Sequence, residues 1–233
     1  MKNVIIIPTY NEKDSVKNII PLVFNLLPDV HIAVADDNSP DGTANVVLDL
    51  AKQYPNLSLI SRKQKDGLGK AYINAFQQLL SDKDIKSLVM MDADFSYQSR
   101  YLPEMFKKSE EYSVVIGSRY VKGSKIVGWQ MWRKFLSFFG NTYCSLILRM
   151  PIKDYTCGFC VISTDYLRKV DFAKMDASGY AFIPELKYLL YKAGATFYEV
   201  PITFVDRTEG QSKISSHIIS EGIIAPWKML LRK

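Results

Sequence analysis

The 233-residue chain carries a formal net charge of +6, and 48% of its residues are hydrophobic. This composition excludes an intrinsically disordered chain, and the length is that of one domain with a substantial core. The positive charge suits anionic partners such as diphosphates, lipid phosphates or an acidic membrane surface. Nucleic acid is disfavoured, because the sequence has no zinc-finger spacing, basic-region helix or aromatic ribonucleoprotein motif.

Strand and helix patterns alternate through the first half of the chain. Short apolar runs predict strands near residues 3–8, 31–36, 57–61, 86–91 and 113–117. Apolar residues at helical spacing predict helices over residues 12–27, from Thr43 onward and over residues 70–80. This alternation predicts a mostly parallel sheet in an α/β fold, with helices on its faces.

After residue 120 the alternation ends. Helical spacing recurs over residues 132–146, over 182–190 and from about 215 to the end, and a strand interrupted by Pro201 is predicted over residues 196–205. The chain starts directly with a strand pattern, and no apolar run reaches the roughly 18 residues that cross a bilayer. We therefore expect neither a signal peptide nor a membrane-spanning helix.

Three of the predicted strands end in loops that carry acidic residues. These loops span residues 8–12, 36–43 and 92–94. Ligands of open α/β sheets bind outside the carboxyl ends of the strands. The pair Asp92 and Asp94, two positions apart, can share one Mg²⁺ or Mn²⁺ ion with a bound diphosphate, although a surface turn explains such a pair equally well. The layout predicts a nucleotide site.

An ordered set of motifs runs along nearly the whole chain. In sequence order these are residues 8–12, 36–43, 67–72, 92–94, 117–121, 132–134, 154–159, 199–207 and 210–213. Together they resemble the family 2 glycosyltransferases with the GT-A fold, and more narrowly the dolichyl- or polyprenyl-phosphate mannosyltransferases. The resemblance covers residues 3 to about 215. It implies one GT-A domain over residues 1–233, a Rossmann-like mostly parallel sheet flanked by helices, with amphipathic helical elements at the carboxyl terminus.

The resemblance also implies a reaction and its residues. Mannose would pass from GDP-mannose to a polyprenyl phosphate, with inversion at the anomeric carbon. Residues from 1 to about 120 would bind the nucleotide sugar, and those from about 121 to 233 would face acceptor and membrane. The catalytic residues would be Asp92 and Asp94, which hold Mg²⁺ or Mn²⁺, with Arg119 and Arg207. The substrate-binding residues would be Pro8, Tyr10, Glu12, Asp36, Asp37, Ala93, Arg133 and Lys213. Which of Asp36 and Asp37 faces the donor stays open.

No residue stands out as a catalytic base. A phosphate monoester is largely ionised at neutral pH, since its second pKa is about 6, so the acceptor needs no strong base. Asp154 and Glu185 are conceivable bases. The chain departs from the family pattern at Ser96, Cys160 and Ile183, which bears on the sugar and the acceptor more than on the donor site.

Alternatives to this function stay open. The same reaction with UDP-glucose or a UDP-amino sugar is the nearest, and an inactive, membrane-associated glycosyltransferase-like regulator is another. A sugar-phosphate nucleotidyltransferase would show a glycine-rich amino-terminal loop, which is absent.

Several segments also have purely structural interpretations. Residues 37–42 are a strong turn sequence, with Asp41 or Thr43 as a helix cap. The segment from Gly67 to Lys70 is better explained as a helix start than as a phosphate loop. The C-x-x-C of Cys157 and Cys160 is better explained as structural than as redox-active.

Two apolar stripes predict peripheral binding to the cytoplasmic face of a membrane, directly or through a membrane-protein partner. The first contains Ile219, Ile223, Trp227 and Leu230, with Lys228, Arg232 and Lys233 nearby. The second contains Trp129, Trp132, Phe135 and Phe139, with Arg133 and Lys134. Packing of both stripes on the core is the alternative, and Pro226 makes one continuous amphipathic helix doubtful.

Overall fold

A computed structural model of the chain describes residues 1–175, 181–206 and 216–231. Within these residues the strands are β1 (Lys2–Thr9), β2 (His31–Asp36), β3 (Leu57–Ser61), β4 (Ile85–Met90), β5 (Val114–Ser118), β6 (Lys125–Val127), β7 (Cys160–Ser163), β8 (Phe197–Pro201) and β9 (Thr203–Val205). The helices are α1 (Lys13–Leu26), α2 (Thr43–Ala51), α3 (Leu68–Leu79), α4 (Leu102–Lys108), α5 (Met131–Leu148), α6 (Thr164–Leu167), α7 (Phe182–Lys192) and α8 (Ser216–Leu231).

Seven strands form the central sheet in the order β3-β2-β1-β4-β7-β5-β8. Every neighbouring pair is parallel except the two pairs that involve β7, which is antiparallel to β4 and to β5. Strands β6 and β9 form a separate parallel ribbon. The mostly parallel sheet expected from the sequence is confirmed.

The inner strands are apolar on both faces because helices cover both sides of a parallel sheet. Residues Val4 to Ile7 of β1 and Ile32 to Ala35 of β2 are at most 3% exposed. Helix α1 buries one face through Val16, Ile19, Ile20 and Val23, the 3.6-residue spacing visible in the sequence. This packing fixes the strands whose ends carry the site.

The predicted strand over residues 196–205 is in fact two strands in two sheets. Strand β8 is an edge strand that ends at Pro201, and β9 pairs with β6 instead. Proline lacks an N–H and is tolerated at such an edge. The short strands β6 and β7 were not predicted, because neither is long enough to show a period in sequence.

Helix α2 begins one residue earlier than a Thr43 cap would require. Gly42, with φ of 87°, occupies the N-cap position, and Thr43 is the first helical residue. The carboxylate of Asp41 accepts hydrogen bonds from the Thr43 N–H at 2.9 Å and from its hydroxyl at 2.6 Å. Asp41 therefore provides the hydrogen-bond acceptor for the first N–H of α2. Helix α3 begins at Leu68, which confirms the helix-start interpretation of the segment from Gly67 to Lys70.

Helix α8 continues through Pro226, so this proline does not end the carboxyl-terminal helix. Among the helices that the structure describes, none combines the length and apolarity that crossing a bilayer requires.

Candidate functional site

Strands β1, β2 and β4 are parallel neighbours, so their carboxyl ends meet at one edge of the sheet. The loops that follow them are the three acid-bearing loops of the sequence. Residues 8–12, 36–43 and 92–94 thus come together at one edge of the sheet, as the strand-end rule predicts.

Hydrogen bonds join the loops after β1 and β2. The backbone N–H groups of Asn11, Glu12 and Lys13 donate to the side chains of Ser39, Thr43 and Asp41 at 3.0–3.1 Å. Asp36 accepts three hydrogen bonds, from the Thr9 hydroxyl at 2.9 Å and from the backbone N–H and hydroxyl of Ser39 at 2.9 and 2.6 Å. These bonds hold Pro8, Tyr10 and Glu12 against the second loop.

The structure separates the two neighbouring carboxylates. Asp36 is buried and serves the loops themselves. Asp37 is also buried and forms an ion pair with Arg62, the residue that directly follows β3. Asp36 is therefore a structural carboxylate, whereas Asp37 belongs to a charged cluster at the sheet edge.

Sequence reasoning missed the loop after β3. Arg62 lies within 3.9 Å of Asp66 as well as pairing with Asp37, and the Lys65 ammonium lies 3.9 Å from the centre of the Tyr10 ring. Both basic residues follow a parallel strand at the same edge. The rule that ligand-binding loops follow the carboxyl ends of parallel strands applies to these basic residues as well, so the sequence did contain a signal for them.

Asp92 and Asp94 directly follow Met91 at the end of β4, and both side chains are half-buried. Ala93 between them is buried. The Ser96 N–H donates to Asp94 Oδ1 at 3.0 Å, which orients that carboxylate. Phe95, at φ of 59°, is a bulky residue in the left-handed region, a strained conformation that turns the chain sharply after Asp94.

The donor set at Asp92 and Asp94 fits a hard divalent cation. Two carboxylates at the edge of a nucleotide cleft match how Mg²⁺ is held, with further ligands from substrate phosphates and water. Within the described residues, no three His, Cys, Asp or Glu side chains form a metal cluster.

Arg119, at the end of β5, is buried in an ion pair with Asp154. Its Nε donates to Asp154 Oδ2 at 2.8 Å, and its Nη2 donates to Asp154 Oδ1 and to the Thr156 hydroxyl, each at 2.7 Å. Burial opposes the charge on Arg119, but Asp154 outweighs it and raises the pKa of Arg119 well above its ordinary value. Burial alone would raise the pKa of Asp154, yet Arg119 lowers it. Asp154 is thus a charged partner of Arg119, which argues against a role as general base.

Arg133 and Arg119 both lie near the Trp129 ring. The centre of that ring is 5.6 Å from the Arg119 guanidinium carbon and 4.3 Å from that of Arg133. Arg133 also donates to both oxygens of Asp206 at 3.1 Å. Two predicted basic site residues therefore contact one indole. The predictions for Arg207 and Lys213 fall outside the described residues.

The remaining sequence candidates are interior groups. Glu185 is buried on α7. Cys157 and Cys160 are buried free thiols, and burial raises their pKa values to about 12 and about 11. A thiol with so high a pKa has little thiolate at neutral pH, so the pair has no reactive character.

Helices α5 and α8 pack against each other and leave large apolar side chains exposed. Trp227 Nε1 donates to the Tyr143 hydroxyl at 2.8 Å, and that hydroxyl donates to the Ile223 carbonyl at 2.9 Å. The exposed apolar residues are Met131, Trp132, Phe135, Phe138, Phe139 and Leu146 of α5, and Ile223, Ile224, Trp227, Leu230 and Leu231 of α8. Trp129, predicted in this stripe, is instead buried, with Arg119 and Arg133 near its ring. The side chain of Ile219 lies outside the described part of the chain.

An α/β sheet of this topology, with an acidic pair at the end of β4 beside the bonded loops after β1 and β2, has the architecture of a GT-A glycosyltransferase. The model of the family "Glycosyl transferase family 2" matches residues 4–171, and the chain belongs to this family.

Similar proteins span nearly the whole chain. The undecaprenyl-phosphate mannosyltransferase of Micrococcus luteus is 37% identical over 224 residues, covering 96% of this chain and 92% of its own. The polyprenol monophosphomannose synthase of Mycolicibacterium smegmatis is 36% identical over 230 residues, covering 97% and 86%.

The fold has solved counterparts. Glucosyl-3-phosphoglycerate synthase of Mycobacterium tuberculosis, in complex with Mn²⁺, UDP and phosphoglyceric acid, superposes with a TM-score of 0.67 at 14% identity, covering 97% of this chain and 77% of its own. The same enzyme with Mg²⁺ and UDP also gives a TM-score of 0.67, covering 98% and 79%.

Proposed function

We propose that this glycosyltransferase moves mannose from GDP-mannose to a polyprenyl phosphate, forming a polyprenyl-phosphate mannose. The observation that carries the proposal is the Asp92–Asp94 pair at the end of β4, on a chain whose full-length relatives are named for this lipid product. The sugar, the acceptor class and the metal follow from those relatives and from the chemistry of the site.

The donor would bind across the loops after β1, β2 and β3. Tyr10 is exposed enough to stack on the base, and Glu12 to accept from the ribose. Asp37, rather than Asp36, would serve the donor, since Asp36 is committed to Thr9 and Ser39. Lys65, now over the Tyr10 ring, would move to the base edge or the diphosphate.

The leaving diphosphate gains negative charge as the glycosidic bond breaks. Asp92 and Asp94 would hold Mg²⁺ or Mn²⁺, whose chemistry is to neutralise that charge. Solved enzymes of the same fold contain these ions, which supports the assignment. The carboxylates orient the ion, and the Ser96 N–H fixes Asp94.

The acceptor phosphate would bind beside Arg119 and Arg133, with Arg207 and Lys213 completing the basic set. An ionised phosphate oxygen attacks the anomeric carbon from the face opposite the leaving group. Since the nucleophile is already an anion, no base is needed, and positioning and charge stabilisation supply most of the rate.

The acceptor has a long apolar tail, so the active site must reach a membrane. We propose that the exposed apolar side chains of α5 and α8 enter the interface of an anionic cytoplasmic leaflet, with Lys134 and Lys228 near the head groups. The net charge of +6 favours such a surface.

One experiment tests the reaction. The protein is incubated with Mn²⁺, a polyprenyl phosphate and a panel of GDP- and UDP-sugars, and the glycolipid is identified by mass spectrometry. A mannolipid formed from GDP-mannose supports the proposal. A glucolipid or amino-sugar lipid formed from a UDP-sugar replaces it with the alternative donor, and the absence of any glycolipid or donor hydrolysis favours an inactive relative.

A further inference from the structure

Lys187 is a buried cation that neither the motifs nor the proposed mechanism uses. It lies on α7 and is 2% exposed. Its ammonium donates to the backbone carbonyls of Asp154 at 2.8 Å, Tyr155 at 3.3 Å and Cys157 at 2.8 Å. An ammonium has three N–H donors, and all three are therefore used on one stretch of backbone.

That stretch, residues 153–157, is called the Asp154 loop below. Its backbone N–H groups are held from other elements: Lys153 and Asp154 donate to Glu199 at 2.8 and 2.9 Å, and Tyr155 donates to Asn141 at 2.7 Å. Lys187 donates to the backbone carbonyl groups of the same loop. The loop is thus fixed from both sides by buried or half-buried side chains.

The Asp154 loop in turn fixes Arg119. Asp154 accepts from the backbone N–H of Arg119 at 2.9 Å as well as from its guanidinium, and Thr156 accepts a further bond from Nη2. The loop therefore determines where the guanidinium lies and which of its N–H groups remain for substrate.

We propose that Lys187 is a positioning residue, which holds the Asp154 loop through its three carbonyls and thereby sets Arg119 for the acceptor phosphate. The inference rests on the proposed function for its catalytic part, and on geometry alone for its structural part. Without the ammonium, the three carbonyl oxygens would face one another in a dry interior, and the loop would have to rearrange to satisfy them.

Lys187→Met tests the structural part, because methionine keeps an unbranched apolar stem and removes the charge. Lys192→Met on the exposed end of the same helix is the matched control. Cys157, within the loop, is a built-in reporter: its thiol donates to the Gly117 carbonyl at 2.8 Å and is fully buried. Maleimide labelling of the native protein, read residue by residue by mass spectrometry, follows opening of the loop.

We expect Cys157 to label at least about tenfold faster in Lys187→Met than in wild type, relative to Cys144 on α5 in the same molecule, because local opening exposes only the loop. Loss of a nearby positive charge disfavours the thiolate of each cysteine, so faster labelling at Cys157 alone cannot arise from charge. An unchanged ratio, or equal acceleration of both thiols through global unfolding, overturns the proposal. If Lys187→Met does not fold, Lys187→Gln, which keeps an N–H donor group, is measured in the same way.

Transfer kinetics test the catalytic part. Partners that orient metal ligands typically contribute about 10- to 100-fold to activity, and by analogy we expect a loss of this size in kcat with the KM for nucleotide sugar nearly unchanged. In an Arg119→Lys background, Lys187→Met should cost little more, because the residue acts through Arg119. A full additional loss in that background, or an unchanged kcat while Cys157 opens, overturns the positioning role. If wild type forms no glycolipid, the proposed function fails, while the thiol measurement still decides whether Lys187 holds the loop.

Discussion

The loops after β1 and β2 and the Asp154 loop hold their carboxylates in different ways. In the first region, Asp36 and Asp41 bond to residues of two short loops that follow adjacent parallel strands. In the second, Asp154 is held by groups from β8, α7 and the end of β5, which are far apart in sequence. The first is a local turn arrangement repeated at a sheet edge, and the second is a junction of distant elements.

This difference has consequences for chemistry. At the strand-end edge where a nucleotide would lie, Tyr10 is exposed and Glu12 is half-buried, as is Asp94 after β4, whereas Asp36 and Asp37 are buried. In the Asp154 loop, Asp154, Tyr155 and Cys157 are buried, and the carboxylate of Asp154 is bonded to Arg119. We expect changes in the first region to alter donor binding and charge neutralisation, and changes in the second to alter stability together with turnover.

The largest effect should come from Asp94→Asn, which keeps the shape of the side chain and removes its charge. We expect transfer to fall by at least about three orders of magnitude, since a metal contributes several kcal/mol at the leaving group and each 1.36 kcal/mol is tenfold in rate. The thermal midpoint should stay within a degree or two of that of Asp165→Asn, an exposed control whose side chain is 81% accessible. Full wild-type activity in excess chelator, with an active Asp94→Asn, would contradict the metal site.

The second-largest effects are expected at the two buried ion pairs, Arg119–Asp154 and Arg62–Asp37. Arg119→Ala leaves Asp154 as an unpaired buried charge, and breaking such a pair costs about 3–5 kcal/mol in the free energy of unfolding. Arg62→Ala, beside Asp37 at the strand-end edge of the sheet, should raise the KM for nucleotide sugar with a smaller loss of stability, because Asp37 is less completely buried than Asp154. Urea denaturation and steady-state kinetics of both variants measure this. Equal stability losses would show that the two regions are built alike.

Binding to membranes should depend on the exposed apolar side chains of α5 and α8 and not on those elsewhere on the surface. Phe139→Ser on α5 and Leu230→Ser on α8 each remove a large exposed apolar side chain, and burying such a side chain is worth about 1.5–3 kcal/mol. We expect each variant to bind anionic vesicles at least about tenfold more weakly in flotation, with binding that falls as salt rises. Leu48→Ser, an equally exposed leucine on α2, is the control and should bind as wild type does. Absence of wild-type flotation at low salt would indicate that a membrane partner presents the lipid instead.

The smallest effect should be a pH dependence of the free energy of unfolding that is caused by Asp154. The folded-state pKa of Asp154 lies below its unfolded value of about 3.9, so its stabilisation is present above that pH and is lost as the pH falls through the folded pKa. The stability difference between wild type and Asp154→Asn should therefore be largest above about pH 4 and shrink below it, by at most about 1.4 kcal/mol per pH unit. Urea denaturation from pH 3 to 7 follows it, and a constant difference across that range would rule out the charged pair.

Much of the first half of the fold could be predicted from sequence. The strands β1 to β5 and the helices α1 to α3 came within a few residues of their predicted ends, because buried parallel strands and amphipathic helices have strong local periods. The antiparallel strand β7 and the division of residues 196–205 between two sheets could not be predicted. Short strands have no measurable period, and their pairing depends on which sheet edge is available.

The features of the site likewise divide into those that the sequence predicts and those that only tertiary contacts determine. Sequence alone determined that acid-bearing loops would meet at the ends of β1, β2 and β4, because parallel strands end at one edge and the turn residues between Asp36 and Thr43 act locally. Only the tertiary structure decided that Asp36 bonds to the loops while Asp37 pairs with Arg62, that Trp129 is buried near Arg119 and Arg133, and that Lys187 reaches the Asp154 loop. Those contacts join residues from separate elements, and no local propensity encodes which way a buried side chain turns.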